Sequence, residues 1–304
     1  MRVVPLTPEV APAWNVYVAL HRGGWFWHRA DWLAYEVAHA GAENLSFGVA
    51  DRHDLLGVCP ILREGDRFSM EGHPLPITLI AGTEARDAAE AEVRRLAGKH
   101  GIRSMAFRTC PLVEAPNLEG AQGGRDLSWP SRILDLTQSE ATLHAGVRKS
   151  YRHLINRGYR TWEIVVGAGL AKPFHDLWAE VNGQRRAPAA EALMSEWLTY
   201  SHEPRAVLIG AERAGRLEGA IYALVYKRAA YYASGPSLMP DVMHMLQWEM
   251  IRWLKAMGVT QYELGWQARP GDTGKDRAIS FFKRGFGGED RIVQAVERTF
   301  SGGD

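Results

Sequence analysis

The sequence predicts an α/β protein (α+β in its hairpins) made of two copies of one unit, each a mixed central sheet flanked by helices. Three observations carry this. A hairpin pattern at 47–62 recurs at 209–224; an amphipathic helical pattern follows each hairpin and stops at a glycine; a short strand-like run follows each helix. The chain has 304 residues, room for two domains of roughly 100–200 residues each, and its 46% apolar content supplies a core for both.

Phe47–Leu62 reads FGVADRHDLLGVCPIL and Ile209–Leu224 reads IGAERAGRLEGAIYAL. Laid together without gaps, Gly48 meets Gly210, Leu55 meets Leu217, Gly57 meets Gly219 and Leu62 meets Leu224. The charged turns DRHD and ERAGR carry hairpin chemistry. In the first half a helix is expected over about Glu84 to Lys99, with Ala89, Val93, Leu96 and Ala97 on one face. In the second, Met243, Leu246, Met250, Trp253 and Met257 mark a helix over about Pro240 to Ala256. Gly101 and Gly258 stop these helices, and the runs IRSMAF and VTQYEL follow. Pro111 to Pro130, rich in Pro, Gly and Asn, reads as a connection. The expected domains are 1–130, joined by the C-terminal strand 289–304, and 131–288. The second opens with the strand-like Ser131–Leu136, then a helix from about Gln138 to Arg157 capped by Thr137 with Glu140 in a capping box. A further helix spans about Lys172 to Gln184.

A net charge of +1 gives no whole-chain field for nucleic acid or anionic membrane. Cys59 and Cys110 make neither a disulfide framework nor a zinc site, and Cys59, in an apolar run, reads as core. The N-terminus lacks a secretory pattern and no apolar run reaches about 18 residues, so a cytoplasmic location is expected. Of 11 tryptophans, several gather in Gly24–His28 and at Trp32, a core cluster or a ligand-lining one. His28, His73, His153, His202 and His244 have no partner at triad or metal-ligand spacing, so no metal is expected.

Two stretches carry chemistry. The helix of Gln138–Arg157 is basic, and Arg148 and Arg152, four apart, are expected on one face with Lys149 beside them, a pattern that holds phosphates. Farther on, Gln261–Trp266 reads as a strand emerging at a glycine turn, then a polar loop, then a helix ending in Lys283-Arg284-Gly285-Phe286-Gly287. In α/β folds, ligands gather at the carboxyl ends of strands. A lysine there can meet a phosphate or a developing oxyanion, and Glu263 is the candidate proton acceptor.

Three segments together resemble the FemAB family of aminoacyltransferases. They are Ile133–Leu136 leading to Arg148–Ile155 and Gly158; Tyr232–Gly235 leading to Leu246–Ile251; and Tyr262–Gly265 with Ile279–Gly287. The resemblance covers most of the second half and touches the first only at Phe26–Trp32 and Gly57–Leu62. It implies tandem GNAT-like acyltransferase domains and transfer of an amino acid from aminoacyl-tRNA to an amine of a peptide or nucleotide-linked acceptor. It implies catalytic roles for Lys283 and Phe282 beside Glu263. Substrate contacts fall at Tyr232, Ser234, Tyr262 and Trp266 and at Arg185 or Arg186, and tRNA contacts at Arg148, Lys149 and Arg152. The sequence departs from the family's peptidoglycan-branching members in lacking a coiled-coil insertion. It also lacks the glycine-rich pyrophosphate loop of coenzyme A-dependent GNAT enzymes, since Pro-Ser-Leu-Met-Pro-Asp follows Gly235. The expected co-substrate is therefore aminoacyl-tRNA, with acyl-CoA the alternative; no tightly bound cofactor is expected, and a monomer or weak homodimer is.

Overall fold

The structure, a computed structural model, describes residues 1–52, 54–114, 124–183, 187–199, 205–269 and 271–300. The chain divides into unit 1, Met1–Trp129 with Ile292–Asp304, and unit 2, Pro130–Arg291. The first stretch carries β1 (Arg2–Pro5), α1 (Ala11–Leu20), α2 (Ala30–Ala40), β2 (Glu43–Asn44), β3 (Phe47–Asp51), β4 (Asp54–Cys59), β5 (Leu62–Glu64), β6 (Arg67–Phe68), β7 (Leu75–Pro76), β8 (Leu79–Ile80), α3 (Thr83–His100), β9 (Ser104–Arg108) and β10 (Arg125–Asp126). Next come β11 (Trp129–Asp135), α4 (Glu140–Gly146), α5 (Lys149–Thr161), β12 (Glu163–Val166), α6 (Ala171–Asn182), α7 (Pro188–Thr199), β13 (Arg205–Arg213), β14 (Arg216–Tyr226) and β15 (Ala229–Ser234). The chain ends with α8 (Val242–Ala256), β16 (Gln261–Trp266), α9 (Gly274–Arg284), β17 (Glu289–Val293) and β18 (Ala295–Thr299).

Unit 2 is one sheet in the order β12-β13-β14-β15-β16-β11-β17. On one face, Val207, Ile209, Ile221 and Ala223 join a core with Tyr151 and Ile155 of α5 and Met245, Leu246 and Met250 of α8. On the other, Tyr222 packs its ring on Phe174 of α6. With both faces covered, β13 and β14 read as continuous apolar runs rather than alternating ones.

The mixed α/β fold class stands, and the four matched positions show why the two halves share residues. In β3/β4 Gly48 pairs with Val58, and in β13/β14 Gly210 pairs with Ala220. Each hairpin carries one extra residue at the same place, Leu56 between Leu55 and Gly57, Glu218 between Leu217 and Gly219. A Cβ on Gly48 would stand 2.5 Å from Leu55 Cδ2, and one on Gly210 2.6 Å from Leu217 Cδ1. Glycine is thus the space into which the cross-strand leucine folds, twice. The bulge carbonyls also do one job twice: Leu56 O accepts from Ala81 N at 2.8 Å, and Glu218 O from Leu238 N at 2.9 Å. The turn of β13/β14 has φ of +53° at Ala214 and +75° at Gly215, the left-handed pair a two-residue hairpin needs.

Strand order repeats as well. In unit 1 it runs β10-β18-β9-β6-β5, in unit 2 β17-β11-β16-β15-β14. The strand beside β9 comes from the C-terminal stretch, as β18.

The tryptophan cluster of unit 1 is core: Trp14, Trp25 and Phe26 are fully buried, Trp27 and Trp32 nearly so. Trp14 Nε1 donates to His28 O at 2.6 Å. His28 is structural too. Its Nδ1 accepts from Trp25 N, so its Nε2 carries the proton and donates to Ile77 O at 2.9 Å. Cys59 is wholly buried, and burial pushes its thiol far above the ordinary range.

Two expectations are corrected. The single helix over Gln138–Arg157 is two helices, α4 and α5, broken at Val147 and Arg148, which are extended. Arg148 N donates across the break to Gly285 O at 2.8 Å, which a continuous helix does not allow. Nor does Thr137 cap: its N–H and hydroxyl both bind the Asp135 carboxylate, and Ser139 caps α4 by accepting from Thr142 N. Among the described residues no helix is long and apolar enough to cross a membrane.

The glycine–leucine device makes a paired prediction. Gly48→Ala and Gly210→Ala should each cost about 1–3 kcal/mol by overpacking, read as a lowered urea midpoint, and Leu217→Val in the Gly210→Ala background should restore part of the loss. Either alanine at wild-type stability would show that the leucine does not need that space.

Candidate active site

The sheet of unit 2 opens between β15 and β16. These parallel strands pair at Ala229↔Gln261, Ala230↔Tyr262 and Tyr231↔Glu263 and no farther, although each runs on for three more residues. Past that point β15 stays on β14 and β16 stays on β11. Each does so with an extra residue, Ala233 on β15 between the pairs Ala223↔Tyr232 and Tyr222↔Ser234, and Leu264 on β16 between Ile133↔Glu263 and Arg132↔Gly265. A bulge bends its strand, and two bulges at one level on the outer sides pull the strands apart. The opening lies at the carboxyl end of both.

Tyr231 and Glu263, register partners, share one face at the closed end of the split. Ser131 on β11 donates its hydroxyl to Glu263 Oε1 at 2.5 Å. At the open end Gly265 has φ +84°, and a Cβ there would stand 3.3 Å from Lys283 Nζ and 4.0 Å from Tyr231 Cε2. Glycine is required for the backbone and for the close approach of the lysine.

Lys283 comes from the last turn of α9. Its Nζ donates to Trp266 O at 3.0 Å, an oxygen that also accepts from Gln267 Nε2 at 3.1 Å. The helix is tied to the loop a turn earlier, where buried Ser280 accepts from Ala268 N at 2.6 Å. Burial pulls the Lys283 ammonium down to about 8, while the nearby Glu263 carboxylate acts in the other direction. A lysine so placed exchanges its proton near neutral pH, and with Trp266 O taking one N–H it keeps two donors for a ligand.

The C-terminal end of α9 is clamped. The Tyr151 ring lies where Gly285 lacks a side chain. Its hydroxyl accepts from Arg148 Nη1 at 3.0 Å. Phe282 packs on His244 and Phe286, with centroids 5.1 and 5.3 Å apart.

The expected residues thus fall into groups. Lys283, Glu263 and the Trp266 carbonyl gather at the split. Ser234 lies on the part of β15 that diverges. Tyr232, on the same stretch, is corrected: it packs against the α8 core, its hydroxyl lying where a Cβ on Gly235 would stand. Phe282 belongs to the aromatic cluster behind α9, beside the lysine but packed against the core. Tyr262 is corrected: it is fully buried and its hydroxyl accepts from Gln247 Nε2 at 2.9 Å, so it is a core residue. Arg148 is corrected as well. It precedes α5 in an extended conformation, shares no helical face with Arg152, and stacks its guanidinium 3.7 Å over the Phe281 ring. Arg152 reaches back to Ala145 O at 3.4 Å, while Lys149, His153 and Arg160 are exposed on α5. Arg185 and Arg186 lie outside the described residues. Sequence reasoning missed Tyr231, Ser131 and Gln267. The alternation of β15 against Glu263 is a signal for Tyr231; nothing local marks the other two.

The segment after β15 is backbone-paired to β14. Ala220 N donates to Pro236 O at 3.0 Å, Leu238 N is spent on Glu218 O, and Pro236 and Pro240 have no N–H. It is a poor cradle for a pyrophosphate.

Lys283 makes a linkage prediction. Its folded value, about 8, lies below the ordinary 10.5 of an unfolded lysine. Between these the unfolded chain binds more protons, so stability rises with pH across the window and is lost as pH falls through about 8. Urea unfolding of Lys283→Met should lack this rise. An unchanged pH dependence in the variant would assign the rise to other groups.

No protein-family model matches the chain, and no curated protein matches it. Solved structures do match along its whole length. FemX superposes with a TM-score of 0.68 at 12% identity, covering 99% of this chain and 98% of that one. L-PGS from Bacillus licheniformis superposes at 0.62 and 13% identity, covering 97% and 93%. A tandem GNAT protein from the clavulanic acid biosynthesis pathway, solved without AcCoA, gives 0.58 at 16% identity, covering 100% and 99%. The chain therefore carries the tandem GNAT-like fold of the FemAB-type transferases.

Proposed function

We propose that unit 2 is an acyltransferase site, and that the group it transfers is an amino acid taken from aminoacyl-tRNA and placed on an amine. The observation that carries the reading is the split between β15 and β16 with a proton-exchanging lysine held at its mouth. In this reading the ester carbonyl enters the split, where the strand ends have backbone groups to offer. The acceptor amine, neutral, attacks the carbonyl carbon; a C–N bond forms and the carbonyl oxygen becomes an oxyanion. Lys283 donates to that oxygen or passes its proton to the ribose oxygen as the C–O bond breaks, and it regains a proton from the attacking nitrogen, so charge and protons balance. Glu263, anchored by Ser131, keeps the ammonium from falling further and so holds Lys283 in the useful range. Lys149 and Arg152 remain the proposed tRNA contacts, Ser234 and Trp266 the proposed substrate contacts.

Acyl-CoA, the donor class named with the tandem GNAT neighbour, is the competing reading. The spent amide of Leu238 and the two prolines after Gly235 weigh against it.

The test is donor consumption. Incubated with an amine acceptor mixture, the protein should deacylate charged tRNA and leave acyl-CoA intact; turnover of acyl-CoA alone overturns the reading. Lys283→Ala should lower kcat by about 10²–10³-fold, the usual loss for one oxyanion donor. The double variant Lys149→Gln, Arg152→Gln should raise KM for charged tRNA, leave kcat unchanged and flatten the salt dependence of binding.

A further inference from the structure

We infer that unit 1 holds an oxyanion, a carboxylate or a phosphoryl group, against the guanidinium of Arg108. Arg108 ends β9. Its guanidinium carbon lies 3.7 Å over the ring of Trp27, and Trp27 is 3% exposed. Stacking covers a face of the guanidinium and leaves its in-plane N–H groups pointing outward, the geometry that binds two oxygens of a planar acid at once. Among the described residues none of those donors has an acceptor, and Nε is buried without a partner. A buried donor left unmade costs about 1–3 kcal/mol, and a bound oxyanion recovers it.

The acids nearby are committed elsewhere. Glu64 accepts from Ser69 Oγ, Glu71 N and Gly72 N, and Glu71 bonds His39 Nε2 at 3.1 Å. Those bonds build the turn at Met70↔His73, with Glu71 at φ +50°, which brings His73 into the electrostatic reach of Arg108. Burial, and then the Arg108 charge, push His73 below its ordinary value, so at neutral pH it is an uncharged neighbour that offers a hydrogen bond.

The arginine is also fixed in place. Pro76 pairs with Arg108, Ile77 N donates to Arg108 O at 2.9 Å, and His28 Nε2 donates to Ile77 O at 2.9 Å. Strand end and tryptophan are thus tied to one segment. Arg108 itself is half-buried, so a ligand reaches it from solvent. The inference concerns unit 1 alone and does not depend on the transfer reading of unit 2.

The test is calorimetric titration of the full chain with pyrophosphate and phosphate in one arm and succinate and acetate in the other, the stronger arm naming the source. Arg108→Gln should weaken the binding anion by about tenfold or more, the worth of a charge-assisted bond, and Arg108→Lys should weaken it too because an ammonium lacks the fork. In wild-type protein the Arg108 Nε–H resonance should shift as the same anion is added, a reading that needs no variant. No binding in either arm, or binding that leaves both that resonance and the Arg108→Gln affinity unchanged, overturns the inference.

Discussion

A sheet cannot open between two of its strands without orphaning backbone donors and acceptors, and unit 2 is organised around that constraint. The strands β15 and β16 part after three paired positions, yet each remains laddered to its outer neighbour as far as Ser234 and Trp266. Paired bulges at Ala233 and Leu264 let each strand lean outward without leaving that ladder. At the end of β16 the Trp266 oxygen is met by Lys283 and Gln267 together. The lysine is therefore a structural partner of the opening, whatever group enters it. This explains why it is held in low-dielectric surroundings that lower its proton affinity.

Unit 1 meets the same constraint in another way. Its strands β6 and β9 begin as β15 and β16 do, with Arg67↔Ser104 and Phe68↔Met105 matching Ala229↔Gln261 and Ala230↔Tyr262. The chain then leaves at Ser69, turns at Met70–His73, and returns as β7, which pairs Leu75↔Phe107 and Pro76↔Arg108. The seat that stands open in unit 2 is filled by unit 1's own backbone. One strand plan thus yields one split sheet and one closed one, and the split one keeps a lysine at its mouth.

The repeat was readable because its shared glycines stand where a side chain would collide with a packed neighbour. Gly48 and Gly210 make room for Leu55 and Leu217. Gly57 and Gly219 sit where Cβ atoms would strike Ile80 and Val242. Gly265 was readable as the turn that ends a strand and Lys283 from its place in the Ile279–Gly287 resemblance; their close approach is seen only in the structure. What escaped was decided by distant partners. The break before Arg148 is set by Gly285 O, 137 positions along the chain, and by a tyrosine ring seated on that glycine. The loss of the Thr137 cap is a local competition that Asp135 wins because its carboxylate takes both the amide and the hydroxyl. The burial of Tyr262 follows from its parity on β16, which sends it to the α8 face, opposite the side that Glu263 shares with Tyr231. The segment β7, two residues long, has no periodicity to detect.

The basic stretch at the start of α5 shows how one residue type serves two ends. Read as a uniform patch, Arg148, Lys149 and Arg152 belong together; in three dimensions the helix break separates them. Arg148, half-buried, lies against the exposed Phe281 ring at 3.7 Å and the Tyr151 ring at 4.8 Å, which take the place of a counter-ion. That stack braces the helix that delivers Lys283, because Phe281 is two residues before it. Removing the Arg148 charge therefore acts on the lysine's positioning, whereas removing Lys149, which is exposed, acts on the surface alone. A loss of activity on mutating Arg148 is consequently weak evidence for a phosphate contact, and the electrostatics of the proposed tRNA face rest on the outward residues of α5.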